Sequence, residues 1–156
     1  MREVANLYDA AREPGSADRP GYEAPFVRIG PLVGGSALGL TVYELGRGQS
    51  ICPYHYEYPA EEWLIVLEGT PVLREPAGES VLAPGDVVCF PAGPIGAHKV
   101  GNASDGRALV AVLSTKQRPA VAVYPDSDKI GIWAGDGDLE LILPRAAAVD
   151  YWHGET

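Results

Sequence analysis

Turn-forming residues cut the chain between positions 26 and 115 into strand-length pieces, and this punctuation limits the fold more than any other feature. Gly46-Arg47-Gly48, Glu68-Gly69, Glu75-Pro76-Ala77-Gly78-Glu79 and Pro84-Gly85-Asp86 recur at roughly the 8–12 residue spacing of sandwiches and barrels. With 19 Gly and 14 Pro, the chain suits short strands joined by tight turns. No window of about ten residues in this span carries a helical period. The reading is therefore all-β, and closing such a sheet into a jelly roll removes its exposed edges.

Strands are expected at residues 26–29, 38–45, 51–56, 63–67, 71–74, 80–82, 87–90, 97–100 and 107–114. The run Trp63-Leu64-Ile65-Val66-Leu67 is apolar throughout, as for a strand covered on both sides. Glu68-Gly69 should turn it into a hairpin with residues 71–74. Residues 121–123 and 130–133 read as further strands, separated by a turn at Pro125-Asp126-Ser127-Asp128. The length fits one domain with a real core. Its expected parts are an N-terminal arm (1–25), a β-barrel (26–120) and a C-terminal extension (121–156). The arm should lie over the barrel or a partner subunit, with a short helical turn at 7–12. Tyr151 and Trp152 should dock on the barrel or a second subunit.

Net charge is −9, from 12 basic and 21 acidic residues. Nucleic acid and anionic membranes are disfavoured, because phosphate neutralisation needs clustered Lys and Arg. No apolar run approaches the roughly 20 residues that span a bilayer. The N-terminus shows no hydrophobic signal segment, so a cytoplasmic location is expected. Cys52 and Cys89 are then expected as two reduced, buried thiols, neither of them a nucleophile.

Candidate chemistry gathers in two segments. In a strand, residues i and i+2 point the same way, so His55 and Glu57 share one face and Tyr54, Tyr56 and Tyr58 the other. Glu62 follows after the short turn at Pro59-Ala60 and can reach the same point. Further on, His98, Val100 and Asn102 share a face, and His98 can close the set. Two imidazoles with one or two carboxylates suit a single divalent transition metal: Fe, Mn, Ni, Cu, Co or Zn. Each residue taken alone has a blander reading. A single strand-end histidine is more often a hydrogen-bonded structural residue, and a single strand glutamate is more often solvated. Glu61 and His153 read as surface residues, Trp63 as packed behind Glu62, Tyr43 and Tyr54 as core, and Lys99 and Arg107 as solvated edge.

The spacing of these residues resembles the cupin superfamily, in particular small bacterial single-domain cupins of the conserved-barrel type. Gly48, His55, Glu62 and Gly69 follow the first cupin motif, with six residues between Glu62 and Gly69. Gly85, Pro91, Gly93, His98 and Asn102 follow the second. Two spacings depart from the pattern: six residues separate Gly48 from His55, and four separate Gly93 from His98. The resemblance implies a double-stranded β-helix, often homodimeric. It also implies a metal held by His55, Glu62 and His98 for dioxygenase, isomerase or decarboxylase chemistry on a small molecule. A non-catalytic sugar- or metabolite-binding module, with or without metal, is the alternative. The motif's second histidine is Glu57 here. As a fourth ligand it would leave a near-neutral centre, a weaker Lewis acid that disfavours strongly anionic chelators. With metal lost or weak, it would be a buried carboxylate of raised pKa, open to general-base work.

Overall fold

A computed structural model describes residues 3–135, 137 and 139–156; the first two residues of the expected arm lie outside it. The strands are β1 (Phe26–Arg28), β2 (Leu38–Leu45), β3 (Tyr56–Tyr58), β4 (Glu62–Glu68), β5 (Val72–Glu75), β6 (Gly78–Val81), β7 (Val87–Phe90), β8 (Lys99–Gly101), β9 (Ala108–Thr115), β10 (Ala120–Tyr124), β11 (Lys129–Ala134) and β12 (Leu139–Pro144). Among the described residues the only α-helix is a four-residue turn, Ile29–Leu32, which takes over Ile29 from the expected first strand.

One face is a five-stranded sheet ordered β1-β2-β9-β4-β7. The other combines β6-β5-β8 with β12-β11-β10-β3. A bridge between His55 and His98 links these two pieces. All pairings are antiparallel, as in a jelly roll. Leu45, Leu64, Val110 and Phe90 of the first face meet Leu73 and Val100 of the second, so the main core lies between the faces. Along β9 the alternation is clear: Ala108 and Val110 face this core, while Leu109 and Ala111 face outward. The outward residues join Val27, Ile29 and Val42, and Ala5, Leu7 and Ala10 of the arm cover them. The arm thus lies on the barrel, pinned by a bridge between Glu13 and Phe26. Its expected helical turn is one loop closed by Ala10 N–H donating to Asn6 O (3.1 Å).

Several expectations are corrected. Residues 51–54 form no strand. Ile51 N–H donates to Val100 O and His55 pairs with His98, which leaves Cys52, Pro53 and Tyr54 bulging between these two contacts. Pro53 has no N–H to continue a ladder. Glu68-Gly69 makes no hairpin, because β4 pairs with β7 and β9 while β5 pairs with β6 and β8. Gly69, at φ 78°, instead carries the chain from one face to the other, pressed against the backbone of Arg107 and Ala108. Trp63 is 42% exposed, and its indole N–H donates to Glu61 (2.8 Å), so it is not packed behind Glu62. Tyr151 and Trp152 are 84% and 72% exposed and do not dock on this chain's barrel. Cys89 is also exposed rather than buried. The extension nevertheless joins the fold, since β10 pairs with β3. Its last strand, β12, went unread because its residues are mostly exposed and lack clean alternation.

Candidate metal centre

Three elements converge on one point between the faces. The bulge delivers His55 at the entry to β3, the first residue of β4 supplies Glu62, and His98 sits just before β8. The Glu62 carboxylate is 3.5 Å from His98 Nε2 and 3.9 Å from His55 Nε2. His55, Glu62 and His98 each offer a ligand atom, all within 4.8 Å of one another. Glu57 touches the cluster at one place, 3.7 Å from His55 Nε2, and its side chain is more exposed than the other three.

Both imidazoles are aimed from behind. His55 Nδ1 lies 3.0 Å from Pro53 O, and His98 Nδ1 lies 2.8 Å from Gly96 O. Only a protonated Nδ1 satisfies those carbonyls, so each Nε2 lone pair faces Glu62, as metal-ligating histidines are usually arranged. Phe90 stacks on His98 at 3.7 Å between centroids, and Tyr124 stacks on His55 at 5.9 Å. These contacts fix the ring planes.

Burial sets the protonation of the cluster. It pushes the Glu62 carboxyl up to about 8, with the Glu57 charge adding to the rise. Burial also raises Glu57, against the pull of Arg118. Both histidines are lowered, His98 to about 4, again mainly by burial. Without a cation the set therefore keeps a proton on Glu62 and two neutral imidazoles at pH 7. Neutral imidazoles are the form that ligates, and a divalent ion would replace the carboxyl proton. Ligand atoms about 2.1 Å from a common ion stand roughly 3.0–3.6 Å apart at angles of 90–120°. The observed 3.5 and 3.9 Å lie in or near that range, and the widest spacing of the set, up to 4.8 Å, closes with a side-chain shift of about an ångström, so the residues fit a metal.

The cluster faces a cavity of about 450 Å³, a volume suited to a small molecule. Tyr43 lines it, whereas Tyr54 is buried elsewhere beneath the Arg74 guanidinium. Asn102 is a staple rather than a ligand. It donates to Leu45 O (2.9 Å) and Gly106 O (2.7 Å) and accepts from the Ser104 hydroxyl (2.7 Å). Arg107 is spent on Glu44 and Glu68, and Lys99 lies over Tyr22. His153 is exposed.

The sequence reading missed Cys52, whose Sγ sits 3.5 Å from His55 Nδ1, because the bulge that turns it inward breaks strand periodicity. It also missed the wall formed by Lys116, Gln117, Arg118, Tyr124 and Trp133, which belongs to a stretch with no motif.

Residues 41–114 match the family model described as the cupin domain. The chain is a small cupin-superfamily protein. A search of curated proteins finds no match. This cupin is similar in structure to a protein of Acidithiobacillus ferrooxidans provisionally named a sugar phosphate isomerase. The TM-score is 0.83 and the identity 22%, over 92% of this chain and 91% of that one. A cupin-superfamily protein of Silicibacter pomeroyi, named as a sugar phosphate isomerase, aligns with TM-score 0.81 and 26% identity, over 93% of this chain and 94% of that one. The polyketide cyclase RemF of Streptomyces resistomycificus aligns more loosely, with TM-score 0.60 and 23% identity, over 76% of this chain and 82% of that one. The fold expected from the sequence, a cupin double-stranded β-helix, is the fold observed. No helix among the described residues is long and apolar enough to cross a membrane.

Proposed function

We propose that this cupin is a metal-dependent enzyme that isomerises a small polyhydroxylated carbonyl compound of the sugar type. One observation carries the reading: three aimed ligand atoms, with a further carboxylate beside them, at a cavity of small-molecule size. The name of the Silicibacter pomeroyi protein supports the substrate class.

His55, Glu62 and His98 would hold one divalent ion, which supplies Lewis-acid polarisation of a bound carbonyl or hydroxyl oxygen. Moving a carbonyl along a sugar chain means taking a proton from the neighbouring carbon and returning it one position away. Glu57 would make that transfer: it borders the cluster without lying inside it, and burial raises its affinity for a proton. Its other role is fourth ligand, and Glu57→Gln separates the two. A proton carrier loses turnover and keeps metal, whereas a ligand loses roughly 10–100-fold in metal affinity, the scale of a disrupted metal shell. Phe90 and Tyr124 keep the histidines in register, and Trp133 joins Tyr124 in an aromatic wall of the cavity.

A non-catalytic binding module remains the second reading. Two carboxylates around one divalent ion leave it near neutral and a weaker Lewis acid, and this favours binding over catalysis. Proton NMR in D₂O decides between them. The zinc-loaded protein is incubated with a panel of aldoses, ketoses and their phosphates. Deuterium washing into the position beside a carbonyl, and lost in His98→Ala, is the expected result. A metal-loaded protein that exchanges no proton in any member of the panel would leave the binding module as the reading.

A further inference from the structure

The cavity is lined by two chemically different groups. One is the His55–Glu62–His98 cluster. The other belongs to the connection between β9 and β10, where Lys116, Gln117 and Arg118 line the same cavity. These residues lie just beyond the 41–114 cupin match, in the connection that leads to the C-terminal extension.

The pairing of basic residues makes this lip unusual. Among the described residues, Arg12, Arg19, Arg28, Arg47, Arg74, Arg107 and Arg145 all pair with carboxylates. Four cations form no such pair among those residues: Lys99 and Lys129 lie over the Tyr22 and Tyr124 rings, while Lys116 and Arg118 have no aromatic face either, and Arg118 only donates to Trp133 O at 3.4 Å. In a chain of net charge −9, two exposed cations left over at the mouth of a carboxylate-bearing cavity are an exception to the surrounding field.

From this we infer that Lys116 and Arg118 bind an anionic oxygen group, a phosphate ester or a carboxylate, on the part of the substrate that does not meet the metal cluster. The inference deepens the proposed function and rests on it for the identity of the other part. The division is chemically consistent. A centre with two carboxylates is a poor trap for an anion, so an anionic substrate needs its charge held elsewhere. A guanidinium beside an ammonium offers charge-assisted, partly bidentate hydrogen bonds to such a group. The neutral hydroxyl or carbonyl end is then directed inward, toward Glu57 and the histidines. Gln117, between the two cations in sequence, adds a neutral donor.

The test uses the full-length protein, chelator-treated and zinc-loaded in parallel, with inorganic phosphate and acetate as probes followed by titration calorimetry. Wild type is compared with Lys116→Gln/Arg118→Gln. Arg19→Gln/Arg47→Gln serves as a control that removes the same charge at exposed sites elsewhere. The expected result is saturable anion binding in both metal states, weakened about tenfold or more by the lip variant, the order expected for lost charge-assisted bonds, and unchanged in the control. Phosphate binding more tightly than acetate would assign a phosphate ester, and acetate binding as tightly as phosphate would assign a carboxylate. Failure of wild type to bind either anion, or binding that survives in the lip variant, would overturn the inference. Because the chelator-treated arm needs no metal, failure of the lip is distinguishable from failure of the metal reading.

Discussion

Replacing Glu62 with glutamine should stabilise the metal-free protein and remove most of the stabilisation that zinc gives. The folded, metal-free protein keeps the Glu62 proton up to about pH 8, against an ordinary 4.5. Below pH 4.5 folded and unfolded chains both hold it, and nothing is lost. As pH rises the unfolded chain releases the proton and the folded one does not, so stability falls until about pH 8 and then levels off. At pH 7 the gap is 7 − 4.5 = 2.5 pH units from the ordinary value, which costs about 3 kcal/mol at 1.36 kcal/mol per unit. Glutamine has the same shape and no proton to hold. Chelator-treated Glu62→Gln should therefore melt about 6–12 °C above wild type at pH 7, at roughly 2–4 °C per kcal/mol for a chain of this size. The two should converge near pH 4.5. His98, lowered to about 4, works the other way: stability falls as pH drops below its ordinary 6.5. That effect is common to both proteins and cancels in their difference. Added zinc at 100 times its Kd should stabilise wild type by about 3 kcal/mol and the variant far less. Circular-dichroism melts across pH 4.5–8.5 read all of this. Parallel pH profiles for the two proteins, or equal stabilisation by zinc, would refute the reasoning.

Two further predictions concern the frame around the site. Asn102→Ala removes the donors to two loop carbonyls and should cost about 2–3 kcal/mol in urea unfolding, while metal content stays at the wild-type level. Loss of metal with no loss of stability would instead make Asn102 part of the site. Gly69→Ala places a Cβ 2.7 Å from Ala108 Cα at a positive φ, and should cost more than about 2 kcal/mol or prevent folding. A wild-type denaturation midpoint would contradict the crossover assigned to Gly69.

The sequence displayed most of the barrel, because buried strands carry period-2 alternation and their turns carry Gly and Pro. β2 was legible to the residue for the first reason, and β7 because Pro84-Gly85-Asp86 and Pro91 bracket it. Pairing was not legible. Glu68-Gly69 looks like a hairpin locally, and only the packing of Gly69 against Ala108 shows that the chain changes faces. The spaced segments pointed to His55, Glu62 and His98, and the fold gathers their ligand atoms within 4.8 Å of one another, since each stands at a strand boundary facing inward. The aiming of the histidines by Pro53 and Gly96 carbonyls was hidden, because main-chain acceptors leave no mark in side-chain identity. Cys52 and the Lys116–Arg118 lip were equally hidden: a bulge and an exposed connection carry no periodicity.

The central claim is that His55, Glu62 and His98 hold a metal. Elemental analysis of tag-free protein beside His98→Ala tests it most directly. The account predicts near-stoichiometric divalent transition metal in wild type and little in the variant. No metal in either protein, even after incubation with Fe(II), Mn(II), Ni(II) and Zn(II), would contradict it.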